Sequence, residues 1–141
     1  TVLLQHRRAT TFSGFSAECL GAESFTLELG KVRPFGHNNL KRLGRLRSAL
    51  IDLLEQRPPA KAAGPHRPEI FQVVHEVINT GEGFRFHVAD DVANFTEYAP
   101  GTLIWEDADT EYRVGDQPEA VIFPNPKVPV GHRVALMIRK S

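Results

Sequence analysis

The sequence lacks several features that define whole classes of protein. Cys19 is the only cysteine, so no disulfide can form within the chain and a reducing compartment, the cytoplasm, is expected. No apolar run approaches the roughly 20 residues that a membrane-spanning helix needs. Lysine and arginine number 17 together, as do aspartate and glutamate, so no net charge favours nucleic acid or an anionic membrane as a partner.

What remains is the composition of an ordinary globular protein. The 141 residues are 41% hydrophobic and 24% charged, which is enough to bury the core of one domain or two small ones. The chain opens without methionine, directly in a strand-like run at residues 2–4. We therefore expect it to be the C-terminal piece of a longer polypeptide.

The first helix is predicted from its two ends. Thr10 or Thr11 can cap its N-terminus, Phe12 and Phe15 share one face, and Gly21 is a stop signal. Residues 2–4 before it form a strand candidate.

A second strand and a second helix follow. Apolar and polar residues alternate over 24–29, which is the period of a strand. Asn38 or Asn39 can then cap a helix in which six leucines recur at helical spacing up to Leu54. The order strand, helix, strand, helix predicts a βαβα unit, and therefore part of a parallel sheet that helices cover.

The second half of the chain has a different pattern. Residues 58–68 are rich in proline, alanine and glycine and predict a linker. Beyond them, short apolar runs alternate with turns of glycine, proline, asparagine and aspartate, which predicts a compact all-β domain. The predicted organisation is an α/β part at 1–57, a linker at 58–68 and a β-rich domain at 69–141.

Glu28 is the most informative residue because its charge lies between Leu27 and Leu29. Burying an unpaired charge costs several kcal/mol. Glu28 therefore either points to solvent from the polar face of its strand or is held in a site. Ligands of parallel sheets collect at the carboxyl ends of strands, and Glu28 lies near such an end, with Lys31 and Arg33 after it.

Several short motifs resemble the succinylglutamate desuccinylase/aspartoacylase family, a branch of the zinc carboxypeptidase-type hydrolases. In the first half they are Thr11-Phe12-Ser13, Leu20-Gly21-Ala22, Thr26-Leu27-Glu28-Leu29-Gly30-Lys31, Arg33-Pro34-Phe35-Gly36 and Asn39-Leu40. In the second half they are Ala89-Asp90-Asp91, Asn94-Phe95, Pro100-Gly101-Thr102-Leu103 and Phe123-Pro124-Asn125-Pro126. The similarity covers nearly the whole chain, with the linker as its weakest part.

The resemblance implies a fold and a metal. The expected fold is α/β: the C-terminal part of a zinc-carboxypeptidase-like parallel or mixed sheet with helices, followed by a small all-β domain. Family members bind zinc through a His-x-x-Glu pair and a later histidine, all before the glutamate motif. No His-x-x-Glu precedes Glu28 here. We therefore expect Zn²⁺ as a cofactor whose ligands lie in a missing N-terminal part, with no metal ligand in this chain.

The resemblance also implies the reaction and its residues. Zinc supplies a water of lowered pKa for amide hydrolysis, and Glu28 matches the family's general base, which accepts the proton of that water. The implied substrate, N-succinylglutamate, is an N-acyl amino acid with several carboxylates and needs cations and amide donors around it. Lys31, Arg33, Asn38 and Asn125 are the predicted substrate-binding residues.

Two other functions stay open. An aspartoacylase-like deacylase of another N-acyl amino acid would use the same chemistry. A metal-free, non-catalytic binding domain would have lost the zinc ligands altogether. For the hydrolase we expect a cytoplasmic enzyme of arginine breakdown, inactive as this piece alone, with an oligomeric state that the sequence leaves open.

Overall fold

The structure is a computed structural model that describes residues 1–4, 11–29, 34–58 and 67–141. The chain divides into two compact units. The first combines Thr1–Arg8 with Pro68–Ser141, and the second is Ala9–Arg67. Among the described residues, no helix has the length and apolar character to cross a membrane.

The first unit is built from two sheets. The strands in its described residues are β1 (Val2–Leu4), β2 (Ile70–Ile78), β3 (Arg85–Phe86), β4 (Thr96–Tyr98), β5 (Leu103–Glu106), β6 (Glu111–Arg113), β7 (Glu119–Ile122) and β8 (Arg133–Lys140). Five of them form one sheet in the order β1-β2-β8-β7-β4, and three form the other in the order β3-β5-β6. β1 pairs with β2 in parallel, whereas the other pairs are antiparallel. The larger sheet is therefore mixed.

The core of this unit lies on both faces of the larger sheet. One cluster joins it to the smaller sheet and includes Val77, Ile104 and Met137. The other cluster lies on the opposite face and includes Phe71 and Ile138. Because β7 and β8 contribute to both clusters, their residues form apolar runs instead of alternating with polar ones. Each fully buried large side chain contributes about 1.5–3 kcal/mol.

The second unit contains the two predicted helices. Helix α1 spans Phe12–Leu20; the Thr11 hydroxyl accepts the Gly14 N–H at 3.2 Å, and Gly21 ends the helix at φ 64°. This left-handed conformation is the one that favours glycine after a helix. Both predicted ends of α1 are confirmed.

Helix α2 spans Gly44–Leu54 and follows a 3₁₀ turn at Leu40–Leu43. Asn39 caps this turn, since its Oδ1 accepts the Lys41 N–H at 3.2 Å. The predicted helix is thus present, with its first turn wound more tightly.

Two expectations about the strands differ from the structure. Residues 24–29, predicted as a strand, form neither helix nor strand, and the strand at 2–4 pairs with β2 of the β-rich unit. Within the described residues the βαβα arrangement is therefore wrong, because residues 24–29 pair with none of the strands there. The fold class itself, α/β with a mixed sheet and few helices, is confirmed. The division into 1–57, 58–68 and 69–141 stays a prediction.

Candidate functional site

Glu28 lies in an exposed segment of the second unit that is neither helix nor strand. The segment runs from Gly21 to Leu29, and every residue in it is exposed. The neighbouring Leu27 and Leu29 have exposed fractions of 49% and 60%. The carboxylate of Glu28 therefore carries no burial penalty in this structure, and its oxygens lie within reach of solvent.

The other predicted residues are distributed over both halves of the chain. Lys31 and Arg33 lie outside the described residues. Asn38 is exposed in a bend. Either Asn38 or Asn39 was predicted to cap the next helix, and the structure has Asn39 as the cap. Glu28 and Asn38 thus belong to one unit, whereas Asn125 belongs to the other.

Asn125 shapes a turn between β7 and β8. Its backbone N–H donates to the Val134 carbonyl at 2.7 Å, and its Oδ1 accepts the Lys127 N–H at 3.3 Å. The side chain is exposed, so its amide nitrogen remains accessible to a ligand.

The described residues do not provide a zinc site. They contain no group of three or more His, Cys, Asp or Glu side chains that could hold a metal ion. His75 Nε2 accepts the Trp105 indole N–H at 3.0 Å, and His87 Nε2 lies 3.1 Å from Glu106 Oε1. The donors on this part of the chain therefore do not fit the three-ligand site that catalytic zinc requires.

One His-x-x-Glu spacing does occur in the chain, from His66 to Glu69, and it follows Glu28 instead of preceding it. His66 lies outside the described residues. Glu69 forms an ion pair with Lys140 at 2.7 Å on the surface of the β-rich unit, and this pair lowers the pKa of the Glu69 carboxyl. Glu69 is thus already engaged with a cation.

A buried carboxylate in the first unit was missed by sequence reasoning. Glu119 is 2% exposed at the start of β7. Its Oε2 accepts the Tyr112 hydroxyl at 2.7 Å, and its Oε1 accepts Arg139 Nη2 at 2.8 Å and the Gly115 N–H at 3.4 Å. A charge inside the fold thus has a cation and two further donors, as burial demands.

An aromatic stack extends from this carboxylate. The Tyr112 ring lies parallel to the His75 ring at 3.7 Å between centroids, and His75 accepts the Trp105 indole N–H. Burial and the hydrogen bond to Glu119 raise the pKa of Tyr112, while burial lowers the pKa of His75. Both pKa shifts favour the neutral form of the group. The signal in the sequence was the acid directly before the apolar run at 120–122.

A surface cavity of about 240 Å³ lies beside this network. Phe71, Ala120 and Ile138 contribute to its apolar lining, and Glu97 and Lys140 add one charge of each sign. Glu28, Asn38 and Asn125 do not line it.

Two family models match the chain. The AstE/AspA barrel-sandwich hybrid domain matches residues 66–141, and the succinylglutamate desuccinylase/aspartoacylase catalytic domain matches residues 1–54. The two sheets with their shared core and the exposed segment that carries Glu28 fall within these two matches. The chain therefore belongs to the succinylglutamate desuccinylase/aspartoacylase family.

Individual relatives agree with this assignment. The chain is 47% identical to the succinylglutamate desuccinylase of Pseudomonas paraeruginosa (strain DSM 24068 / PA7), over 97% of this chain and 42% of that protein. It is 42% identical to that of Pseudomonas syringae pv. tomato (strain ATCC BAA-871 / DC3000), over 97% of this chain and 41% of that protein. The chain thus spans about two fifths of the length of these relatives.

Solved structures give the same result. The crystal structure of succinylglutamate desuccinylase from Vibrio cholerae matches with a TM-score of 0.87 and 36% identity, over 99% of this chain and 40% of that one. The enzyme structure from Vibrio parahaemolyticus matches with a TM-score of 0.82 and 34% identity, over 99% and 40%.

Proposed function

We propose that this chain is part of a zinc-dependent hydrolase that cleaves the amide bond of N-succinylglutamate to succinate and glutamate in arginine breakdown. The observation that carries the proposal is the match of residues 1–54 to the catalytic-domain model, because this stretch contains Glu28. The relatives named above carry the same activity in their names. A cytoplasmic location is part of the proposal, since the exposed thiol of Cys19 suits a reducing compartment.

Each predicted residue has a role in this reaction. Glu28 acts as general base: it accepts a proton from the attacking water and passes it to the leaving nitrogen. Lys31 and Arg33 bind substrate carboxylates, and the amides of Asn38 and Asn125 donate hydrogen bonds to its oxygens. When bound, Zn²⁺ would serve as Lewis acid. We place its ligands in the part of the relatives' sequences that this chain does not cover. The described residues of this chain supply no such ligand set.

The exposure of Glu28 suits its proposed role. A base must present an oxygen lone pair to water and to the substrate, and Glu28 lies in a segment that is exposed throughout. A carboxylate that is paired inside a core has no such freedom. Glu23 is exposed in the same segment, so it is the resemblance of the Thr26–Lys31 motif to the family that leads us to assign proton transfer to Glu28.

A deacylase of another N-acyl amino acid is the second candidate. It is favoured by the catalytic-domain model itself, which covers both succinylglutamate desuccinylase and aspartoacylase. Turnover of N-succinylglutamate against N-acetylaspartate separates the two, because the acyl groups differ in length and charge. A preference of at least tenfold for the succinyl substrate supports the first candidate.

The decisive experiment replaces the matched part of the Pseudomonas paraeruginosa enzyme with this chain. In that chimera, Glu28→Gln removes the base and keeps the shape of the side chain. We expect it to lower kcat for succinate release by about 10²–10⁴-fold, the usual contribution of a general base, while bound zinc is unchanged. Glu23→Gln is the matched control, since Glu23 is an exposed glutamate of the same segment, and it should keep full activity. A Glu28→Gln chimera with undiminished kcat would remove Glu28 from the mechanism.

A further inference from the structure

Asn125 lies in a loop whose backbone is restricted from several sides. This β7–β8 loop, residues 123–132, contains neither helix nor strand. Prolines occupy positions 124, 126 and 129, and each of them fixes one backbone angle. The side chain of Val128 packs against the core between the two sheets. The loop is therefore anchored to the fold although it has no regular secondary structure.

Asn94 holds the start of the β7–β8 loop. Its Oδ1 accepts the Phe123 backbone N–H at 2.9 Å. The next residue, Phe95, donates its own N–H to the Val121 carbonyl at 2.8 Å. Because β4 begins only at Thr96, the bond from the Asn94 side chain lies outside the strand and continues the contact between the two segments. Asn94 thus determines where the chain leaves β7.

Two phenylalanines beside this bond have a strained backbone. The angle φ is 68° at Phe95 and 53° at Phe123, in the left-handed region that bulky residues rarely adopt. Strain of this kind persists only where the surrounding contacts impose it, and it is concentrated at functional positions. Phe95 also packs against Phe71, with ring centroids 5.5 Å apart. These contacts fix the direction of the chain towards Asn125.

Asn79 holds the other end of the loop. It directly follows β2, and its Nδ2 donates to the Val128 carbonyl at 2.9 Å, while its Oδ1 accepts the Gly81 N–H at 3.0 Å. The Asn79 backbone carbonyl accepts the Gly131 N–H at 2.7 Å, and its N–H donates to the His132 carbonyl at 3.0 Å. The side chain thus joins the turn after β2 to the loop, which requires a donor and an acceptor on one group.

The loop held in this way presents the amide of Asn125. The bonds of Asn125 to Val134 and Lys127 use its backbone N–H and its Oδ1, and the side chain is exposed. Its Nδ2 is therefore the group that faces a ligand as a donor. A binding group contributes most when its position is fixed before the ligand arrives, because no entropy is then lost in ordering it.

We propose that Asn79 and Asn94 are positioning residues for substrate binding: they hold the β7–β8 loop so that the Asn125 amide meets an oxygen of the substrate. The proposal rests on the proposed function, because it takes Asn125 as a contact to an N-acyl amino acid. Asn79 and Asn94 do not touch the substrate themselves. Their effect on binding passes through Asn125.

Aspartate substitutions separate the two positions. Asn79 meets Val128 through its donor, so Asn79→Asp places a carboxylate oxygen against a carbonyl oxygen and should release the loop. Asn94 meets Phe123 through its acceptor, so Asn94→Asp should hold the loop as asparagine does, whereas Asn94→Ala should release it. The same substitution thus has opposite expected results at the two ends of one loop.

Hydrogen exchange in this chain measures the loop without reference to activity. The Phe123 amide should exchange at least tenfold faster in Asn94→Ala, and the Gly131 amide at least tenfold faster in Asn79→Asp, because each variant frees one end of the loop. Asn94→Asp should exchange as the native chain does. Thr80→Val is the matched control, since the Thr80 hydroxyl donates to Asp107. Native exchange rates in Asn79→Asp and Asn94→Ala would show that neither residue holds the loop.

Steady-state kinetics of the chimera with the Pseudomonas paraeruginosa enzyme test the link to the substrate. Asn79→Asp, Asn94→Ala and Asn125→Ala should each raise KM for N-succinylglutamate about tenfold, the value of one hydrogen bond, and change kcat less than about twofold. Asn94→Asp and Thr80→Val should keep the native KM. Asn79→Asp combined with Asn125→Ala should have the KM of Asn125→Ala alone, because Asn79 acts through Asn125.

A merely structural role gives a different result. Partial unfolding lowers the amount of active enzyme, and with it the apparent kcat, but leaves KM unchanged. That result for Asn79→Asp and Asn94→Ala would contradict the proposal. If Asn125→Ala alone raises KM, Asn125 binds the substrate without the other two residues, and the proposal is again wrong. If no variant raises KM while the native chimera is active, the hydrolase stands and the positioning role fails.

An inactive chimera still separates the two proposals. Calorimetry then gives the Kd for N-succinylglutamate in place of KM. A Kd that rises about tenfold in Asn79→Asp, Asn94→Ala and Asn125→Ala would support the positioning role and contradict the activity. A native chimera that does not bind N-succinylglutamate would overturn both.

Discussion

Replacing Glu119 and replacing Arg139, which form an ion pair, should lower the free energy of unfolding by different amounts. The Glu119 side chain is 1% exposed and the Arg139 side chain is 35% exposed. Arg139→Met removes the cation, keeps most of the apolar stem, and leaves the buried carboxylate of Glu119 without its charged partner. Glu119→Gln removes the charge and leaves a cation that already reaches solvent. We therefore expect Arg139→Met to destabilise the first unit more than Glu119→Gln does.

The magnitudes follow from burial and from the remaining partners. Removing one member of a fully buried pair costs about 3–5 kcal/mol. Partial exposure of Arg139 screens the pair, and Tyr112 and Gly115 still donate to Glu119, so we expect about 2–3 kcal/mol for Arg139→Met. The amide that Glu119→Gln introduces would keep an acceptor for Arg139, and the Tyr112 hydroxyl can rotate to accept from its nitrogen. Glu119→Gln should therefore cost only about 1 kcal/mol.

Trp105 provides the assay. It is the only tryptophan of the chain and is buried in the core between the two sheets, so its emission reports the first unit. Urea unfolding of the two single variants and the double variant gives the free energy of unfolding of each. The double variant should be less damaged than the sum of the two, because the methionine that replaces Arg139 would no longer face an ionised partner.

The opposite ranking would refute this reasoning. If Glu119→Gln lowers the free energy of unfolding as much as Arg139→Met does, then a buried carboxylate without its cation is not the cause of the loss. A coupling energy below about 0.5 kcal/mol in the double-mutant cycle would show that the pair adds nothing beyond two independent side chains.

Two further predictions concern pH. Burial lowers the pKa of His75 from 6.5, although the negative charges of Glu119 and Glu76 act to raise it, so the folded state favours the neutral ring. The contribution of His75 to the stability of the first unit should therefore be complete above about pH 6.5 and should be lost as the pH falls through the lowered pKa. His75→Phe should flatten that decline in urea unfolding between pH 8 and 5, and an identical pH profile would contradict the argument. The Asp107 carboxylate accepts from the Asp109 N–H, the Thr80 hydroxyl and the Thr110 N–H, which lowers its pKa from 3.8 to about 2. Its stabilising contribution should be complete above about pH 3.8 and disappear towards pH 2; an NMR titration should show this midpoint and a higher one in Thr80→Val, and a native midpoint near 3.8 would oppose the assignment.

The elements that sequence predicts well are those whose signals are local. Thr11 and Gly21 bound α1 through hydrogen bonds and a backbone angle that involve only neighbouring residues. Residues 70–78 are rich in valine and isoleucine, residues 134–138 form an apolar run, and the structure has strands, β2 and β8, at both. In these elements the residues that predict the helix or strand also make the contacts that stabilise it.

The elements that sequence misses depend on distant residues. β4 is three residues long and exists because it pairs with β7. Residues 24–29 show the reverse: their alternation predicts a strand, but they join neither of the sheets that the described residues form. Sequence pattern states what a segment can form, and the presence of a partner decides whether it does.

The candidate site was predictable only through the motifs around Glu28. Physical reasoning from one charge between two leucines favours solvent over a site, and the exposed segment agrees with solvent in this chain. The motifs added the family, which the comparisons confirm. Which residues bind zinc could not follow from this chain, because the described part contains no metal-binding cluster.

Glu119 and Glu28 show why a carboxylate beside apolar residues is an ambiguous sign of catalysis. Both are followed by apolar side chains in the sequence. Glu119 proves to be buried, and each of its oxygens accepts a strong hydrogen bond, from Tyr112 and from Arg139. A base needs an oxygen that is free to take a proton, so Glu119 cannot act as one without breaking the core. Glu28 meets that requirement through its exposure. Glu23 is exposed in the same segment, however, so the proton-transfer role that we propose for Glu28 rests on the family motif around it and not on exposure alone.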